Sequence, residues 1–172
     1  SEGRGPPKLA IAYLSGYGEG PRAAREIARA LTEASPVPVV GLTTGGAGFT
    51  EAGLVERGVA GAVLYDVEDV RIGFARGTPG TMDAAARAAA RAISTGGQGA
   101  HHVIVLGDGL GDDGAVMAEA ARASLPAEWK LFGGLAGDDW RFRETFVLHE
   151  GALHRGAALL VHFTDAAPAG LS

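Results

Sequence analysis

The residues of this chain best suited to chemistry are carboxylates set in glycine-rich stretches. The segment LAGDDWRF (135–142) puts two adjacent carboxylates, Asp138 and Asp139, beside the indole of Trp140 and the guanidinium of Arg141. The acids could bind a cation or an amino group, while Trp140 and Phe142 could wall an apolar pocket. The alternative is that the aromatics pack into the core and Arg141 pairs with an acid. In GDGLGDDG (107–114), Asp108 is a candidate for a ligand amine or a metal. An ordinary strand–helix turn capped by Asp112 or Asp113 would read the same way. The stretch has no Lys-Ser/Thr as a Walker loop needs, and Leu110 stands where a calcium loop requires a carboxylate. TTGGAG (43–48) adds the hydroxyls of Thr43 and Thr44 and the N–H groups of Gly45 and Gly46. That combination can cradle a carboxylate, although a plain glycine-rich loop has the same composition.

Several chemistries are excluded or unsupported. No cysteine is present, which removes disulfides, thiol nucleophiles and Cys-ligated metals. His101, His102, His149, His154 and His162 lack a spacing such as HExxH, and no serine lies in GxSxG. We therefore expect neither a metal nor another cofactor. A net charge of −5 and the absence of a basic cluster argue against nucleic acid and anionic membrane surfaces as partners. No apolar run, Ala157–Val161 and Leu9–Leu14 included, comes near the roughly 18 residues that a membrane span needs. The opening SEGRGPPK has no apolar signal core, so a cytoplasmic location is expected. Residues 1–7 read as a tag or linker and residues 166–172 as a tail.

Elements must position these groups. At 172 residues, 47% hydrophobic and 20% charged, the chain has the composition of one globular domain, 8–165. Lys8–Leu14 reads as a strand, and a helix follows from Pro21 to the Ser35-Pro36 stop. Val37–Leu42 is a second strand. Val59–Tyr65 and Val67–Ala75 read as strands joined by a tight acidic turn, in the manner of a hairpin. Thr81 is the expected N-cap of an alanine-rich helix to about Ile93. His102–Leu106, a helix from about Asp113 to Ala123, and Lys130–Leu135 come next. Thr145–His149 and Ala157–Phe163 are expected to close the fold as a hairpin.

Strand–loop–helix–strand–loop–strand occurs twice, displaced by about 92 to 95 residues. The pseudo-repeats span 8–76 and 101–164, bridged by the helix within 81–95. Right-handed crossovers would bring the carboxyl ends of both strands of a half to one edge, where open α/β sheets bind ligands. Three helices scarcely cover both faces of an eight-stranded sheet. The expected class is α/β, a mixed system of about eight strands and three helices, with two stacked sheets and outer helices as one arrangement.

GLTTGG and FGGLAGDDWRF also carry a resemblance. The chain resembles the N-terminal portion of FIST domains, a sensory module of signal-transduction proteins in bacteria, archaea and eukaryotes. Family members have a strand ending in a Gly-small-Thr-x-Gly loop, here GLTTGG, and later a Gly-Gly-Leu-Ala-Gly-Asp signature, here Gly133 to Asp138. A Thr-x-Val strand and a glycine turn before a last apolar strand follow, here TFVLHEGALHRGAALLVHF. The match runs from about Leu9 to Phe163. It implies a non-catalytic sensor of amino acids or similar metabolites, continued by a C-terminal FIST portion or a downstream signalling domain. In such a sensor Thr43, Thr44, Gly45 and Gly46 would take a carboxylate, and Asp108, Asp138 or Asp139 an ammonium group. Gly134 and Trp140 complete the expected site. Two other readings stay open. One is a metal-dependent hydrolase using Asp108, Asp138 and Asp139. The other is an interaction or homodimerisation module whose apolar hairpin finds its partner in another subunit.

Overall fold

The computed structural model describes residues 5–15, 21–46, 48–50, 53–55, 58–78, 80–95, 99–110 and 114–165. The expected caps Asp112 and Asp113, most of SGYGEG and the 166–172 tail lie outside the described residues. In chain order the elements are β1 (Leu9–Ser15), α1 (Pro21–Ala34), β2 (Val39–Thr43), β3 (Gly48–Thr50), β4 (Gly53–Val55), β5 (Gly58–Leu64) and β6 (Val67–Arg76). Then come α2 (Met82–Ile93), β7 (His101–Gly107), α3 (Gly114–Arg122), β8 (Lys130–Leu135), β9 (Val147–His149), β10 (Ala152–His154) and β11 (Ala157–Asp165). The three strands beyond those read from the sequence, β3, β4 and β10, have only three residues each.

Apolar runs buried on both faces dictate the layers. One mixed sheet has the order β10-β9-β2-β1-β5, a second β6-β11-β7-β8, and β3 and β4 form a separate two-stranded ribbon. Ile11, Val40 and Leu42 of the first meet Ile104, Leu106, Leu159 and Val161 of the second in a shared core. Ala24 and Ala28 of α1 cover the outer face of the first sheet with Ala12, Leu14 and Leu148. Ala86, Ala89 and Ile93 of α2 and Met117 and Ala121 of α3 cover the second with Val103, Val105 and Leu160. The result is helix, sheet, sheet, helix. Each fully buried Leu or Val contributes about 1.5–3 kcal/mol relative to exposure.

In each mixed sheet one strand continues through a helix into a parallel neighbour, β1 to β2 and β7 to β8. On its other side that first strand pairs antiparallel, with β5 or with β11. Both expected hairpins are overturned. β5 and β6 lie in different sheets, and the Tyr65-Asp66 turn carries the chain between them; Asp66 has φ 53° and its carboxylate accepts the Gly5 N–H at 2.8 Å. β9 pairs with β2 and β10, whereas β11 enters the centre of the other sheet between β6 and β7. The first eight of the nine β11 residues are buried, and a strand apolar on both faces needs a covered central place. Thr81 sits at the α2 N-cap, but its hydroxyl bonds back to Thr78 and to no helix N–H.

Candidate functional site

The carboxyl ends of both parallel pairs meet at one edge, where backbone hydrogen bonds stitch their loops together. The Gly137 N–H donates to the Thr43 carbonyl at 2.8 Å, and the Ala136 N–H to Gly107 at 2.8 Å. Thr43 is fully buried, and its hydroxyl accepts the Phe146 N–H at 3.0 Å. Thr43 therefore ties β2 to the strand-end segment before β9. The Thr44 hydroxyl donates to the Gly46 carbonyl at 3.0 Å, closing its own turn.

Two glycines let the loops approach. A Cβ on Gly137 would stand 2.3 Å from Gly45 N, and one on Gly109 would stand 1.8 Å from the Ala136 carbonyl oxygen. No larger residue fits either place without moving backbone. Gly46 has open space around it.

Asp138 organises the aromatic loop. Its side chain is 6% exposed, and its two oxygens accept the N–H groups of Arg141, Phe142, Arg143 and Glu144 at 2.6 to 3.1 Å. Burial pushes the carboxyl pKa up, but these four donors outweigh it and hold the group below its ordinary value of 3.8. The loop curled around this carboxylate puts Asp139, Trp140 and Phe142 at φ 55°, 62° and 54°. Left-handed backbone at non-glycine residues costs on the order of 1–3 kcal/mol each, and such strain collects at functional sites. Trp140 and Phe142 are 80% and 70% exposed with ring centroids 6.2 Å apart, so neither belongs to the core.

Asp108 is the second buried carboxylate. It accepts the Leu110 N–H at 3.0 Å, the Thr145 hydroxyl and the Gly156 N–H. Two cavities flank this arrangement. One of about 200 Å³ is walled by Gly45, Gly137, Asp138, Trp140 and Phe142. The other, of about 230 Å³, is walled by Arg76, Thr78, Met82, Asp108 and Arg155. Leu110 and Thr145 line both.

Of the residues expected from the sequence, Gly45, Asp138 and Trp140 share the first cavity, and Asp108 faces the second. Asp139 is half-buried beside Trp140. Thr43 is taken up by backbone. Thr44 and Gly134 line a different, larger gap of about 630 Å³ between the sheets, beside β8. Gly134 also lines an apolar groove of about 380 Å³ between β8 and α3. Sequence reasoning missed Arg76, Thr78, Thr145 and Arg155. They end strands or sit in turns far apart in the chain, and no spacing relates them.

His101, His102 and His162 gather at the opposite end, whereas His149 and His154 pack against Phe74. His101 Nδ1 lies 2.9 Å from Nε2 of the fully buried His162, and both rings stack on Trp129 at 4.5 Å. Burial lowers the His162 pKa, His101 and Arg71 add to the effect, and Asp69 opposes it. His102 pairs with Asp165 at 3.0 Å. Among the described residues no three His, Asp or Glu side chains are grouped to hold a metal ion, and no helix is long and apolar enough to cross a membrane.

The FIST N domain family matches residues 8–171. No curated protein matches the chain. The match covers nearly the whole length. The chain belongs to the FIST N domain family of signal-transduction sensory domains.

Proposed function

We propose that this domain senses an amino acid or a related small metabolite, without catalysis and in the cytoplasm, and passes the signal to a C-terminal FIST portion or a downstream signalling domain. The observation that carries the reading is the pair of exposed aromatics, Trp140 and Phe142, held in left-handed backbone beside a cavity by a buried, fully engaged carboxylate. Large exposed aromatics over a preformed cavity are costly to maintain unless something covers them. Family membership supports the sensory role. We further propose that 8–165 is a single domain built by duplication, which the common strand orders β5-β1-β2 and β11-β7-β8 support.

A panel of the twenty amino acids in thermal-shift assays, followed by calorimetry, tests the sensor. A ligand at 100 times its Kd stabilises the folded state by about 2.7 kcal/mol, which is easily seen. No response to any of them contradicts the reading. The hydrolase alternative draws little support, because Asp138 spends both oxygens on backbone N–H groups. A docking module has one specific observation in its favour. β8 is a sheet edge with Phe132 51% and Leu135 42% exposed. A concentration-dependent dimer in sedimentation that Phe132→Glu abolishes would favour it.

A further inference from the structure

The cavity of about 230 Å³ holds an arrangement that the sequence did not foreshadow. Arg76, the last residue of β6, lines it, and its side chain makes no ion pair or hydrogen bond with any described residue. Arg155, also in the lining, is compensated by Glu144 at 3.7 Å. Asp108 stands in the wall, 8% exposed. One of its oxygens takes two donors, Leu110 N–H and the Thr145 hydroxyl, and the other takes only the Gly156 N–H. A carboxylate oxygen has room for a second donor. One cavity thus presents an uncompensated guanidinium and a buried carboxylate with spare acceptor capacity.

We propose that this cavity is the head-group subsite of the sensor: Arg76 takes the ligand's α-carboxylate and Asp108 its α-ammonium, while Trp140 and Phe142 receive an apolar side chain. The assignment rests on the amino-acid reading above and gives it a polarity. A guanidinium matches a carboxylate with two parallel hydrogen bonds, and a buried carboxylate makes a strong charge-assisted bond to an ammonium. The two cavities share Leu110 and Thr145 as walls and are therefore neighbours, and the assignment sets the head group in one and the side chain against the other. Together they reach the lower part of the roughly 300–1,000 Å³ range of small-molecule sites.

L-phenylalanine and phenethylamine, which lacks the carboxylate, are the probes, titrated calorimetrically into wild type, Arg76→Met and Trp140→Ala. Wild type is expected to bind L-phenylalanine at least about tenfold more tightly than phenethylamine. Arg76→Met is expected to erase that difference without changing phenethylamine binding, and Trp140→Ala to weaken both about 3–10-fold. Arg76 is exposed, so the variant should melt with the wild type. L-phenylalanine bound equally by wild type and Arg76→Met overturns the assignment and leaves the sensor reading standing. Binding of L-glutamate but not of L-phenylalanine overturns it too. Silence toward all twenty amino acids overturns the sensor reading and this assignment with it.

Discussion

At the scale of single residues, Asp138 is the buried acceptor around which the aromatic loop is tied. Four N–H groups converge on it, and removing the side chain takes this acceptor from all four, the Arg141 N–H keeping its bond to the Asp138 carbonyl at 3.2 Å. Asp138→Ala should cost about 2–3 kcal/mol in urea unfolding, and Asp138→Asn less. The folded pKa lies below the unfolded one, so this stabilisation is present above the unfolded value of 3.8 and is lost as pH falls through the folded one. Gly137→Ala should destabilise by about 1–3 kcal/mol, because its Cβ collides with Gly45, whereas Gly46→Ala should stay within about 0.5 kcal/mol. Urea midpoints decide both. Burial is the chief cause that lowers the pKa of His162 and of His149, so the unfolded chain takes up their protons first as pH falls. Stability should therefore drop from pH 6.5 downward, and the slope in urea titrations should shrink in His162→Phe, which keeps the stack on Trp129.

At the scale of elements, the two paired βαβ units set which loops can meet. Hydrogen exchange should find β11 amides opening only with global unfolding, since β11 is central and buried, whereas β8 should exchange faster from its sheet edge. Equal protection in both would contradict the layering. The elements themselves were legible in the sequence: the apolar runs of β1, β7 and β11 announce strands, and Pro21 marks the start of α1. Their partners were not. The turn after Leu64 has the composition of a hairpin, yet the chain there changes sheet. What decides is burial on both faces of β11, a tertiary condition that local turn chemistry does not encode. The site was half legible for the same reason. Asp138 and Trp140 stand out by type within one segment, whereas Arg76 and Arg155 are single arginines brought to Asp108 only by the pairing of Arg76 with Ala157 across β6 and β11.

At the scale of the molecule, the two tryptophans sit at opposite ends of β8. Trp129 lies buried against His101 and His162 at its amino end, and Trp140 lies exposed in the loop beyond its carboxyl end. Six residues of strand separate the ends by about 20 Å. The glycine-stitched edge and the histidine stack are thus separate regions of the fold, and only the first is expected to meet a ligand. The indole N–H resonances report on both at once, Trp140 being assigned by its loss in Trp140→Phe. In a titration with L-phenylalanine, a saturable shift of the Trp140 indole with the Trp129 indole unmoved is the predicted result. A saturable shift of Trp129 alone, or none at either indole, would contradict a ligand site at the Trp140 edge.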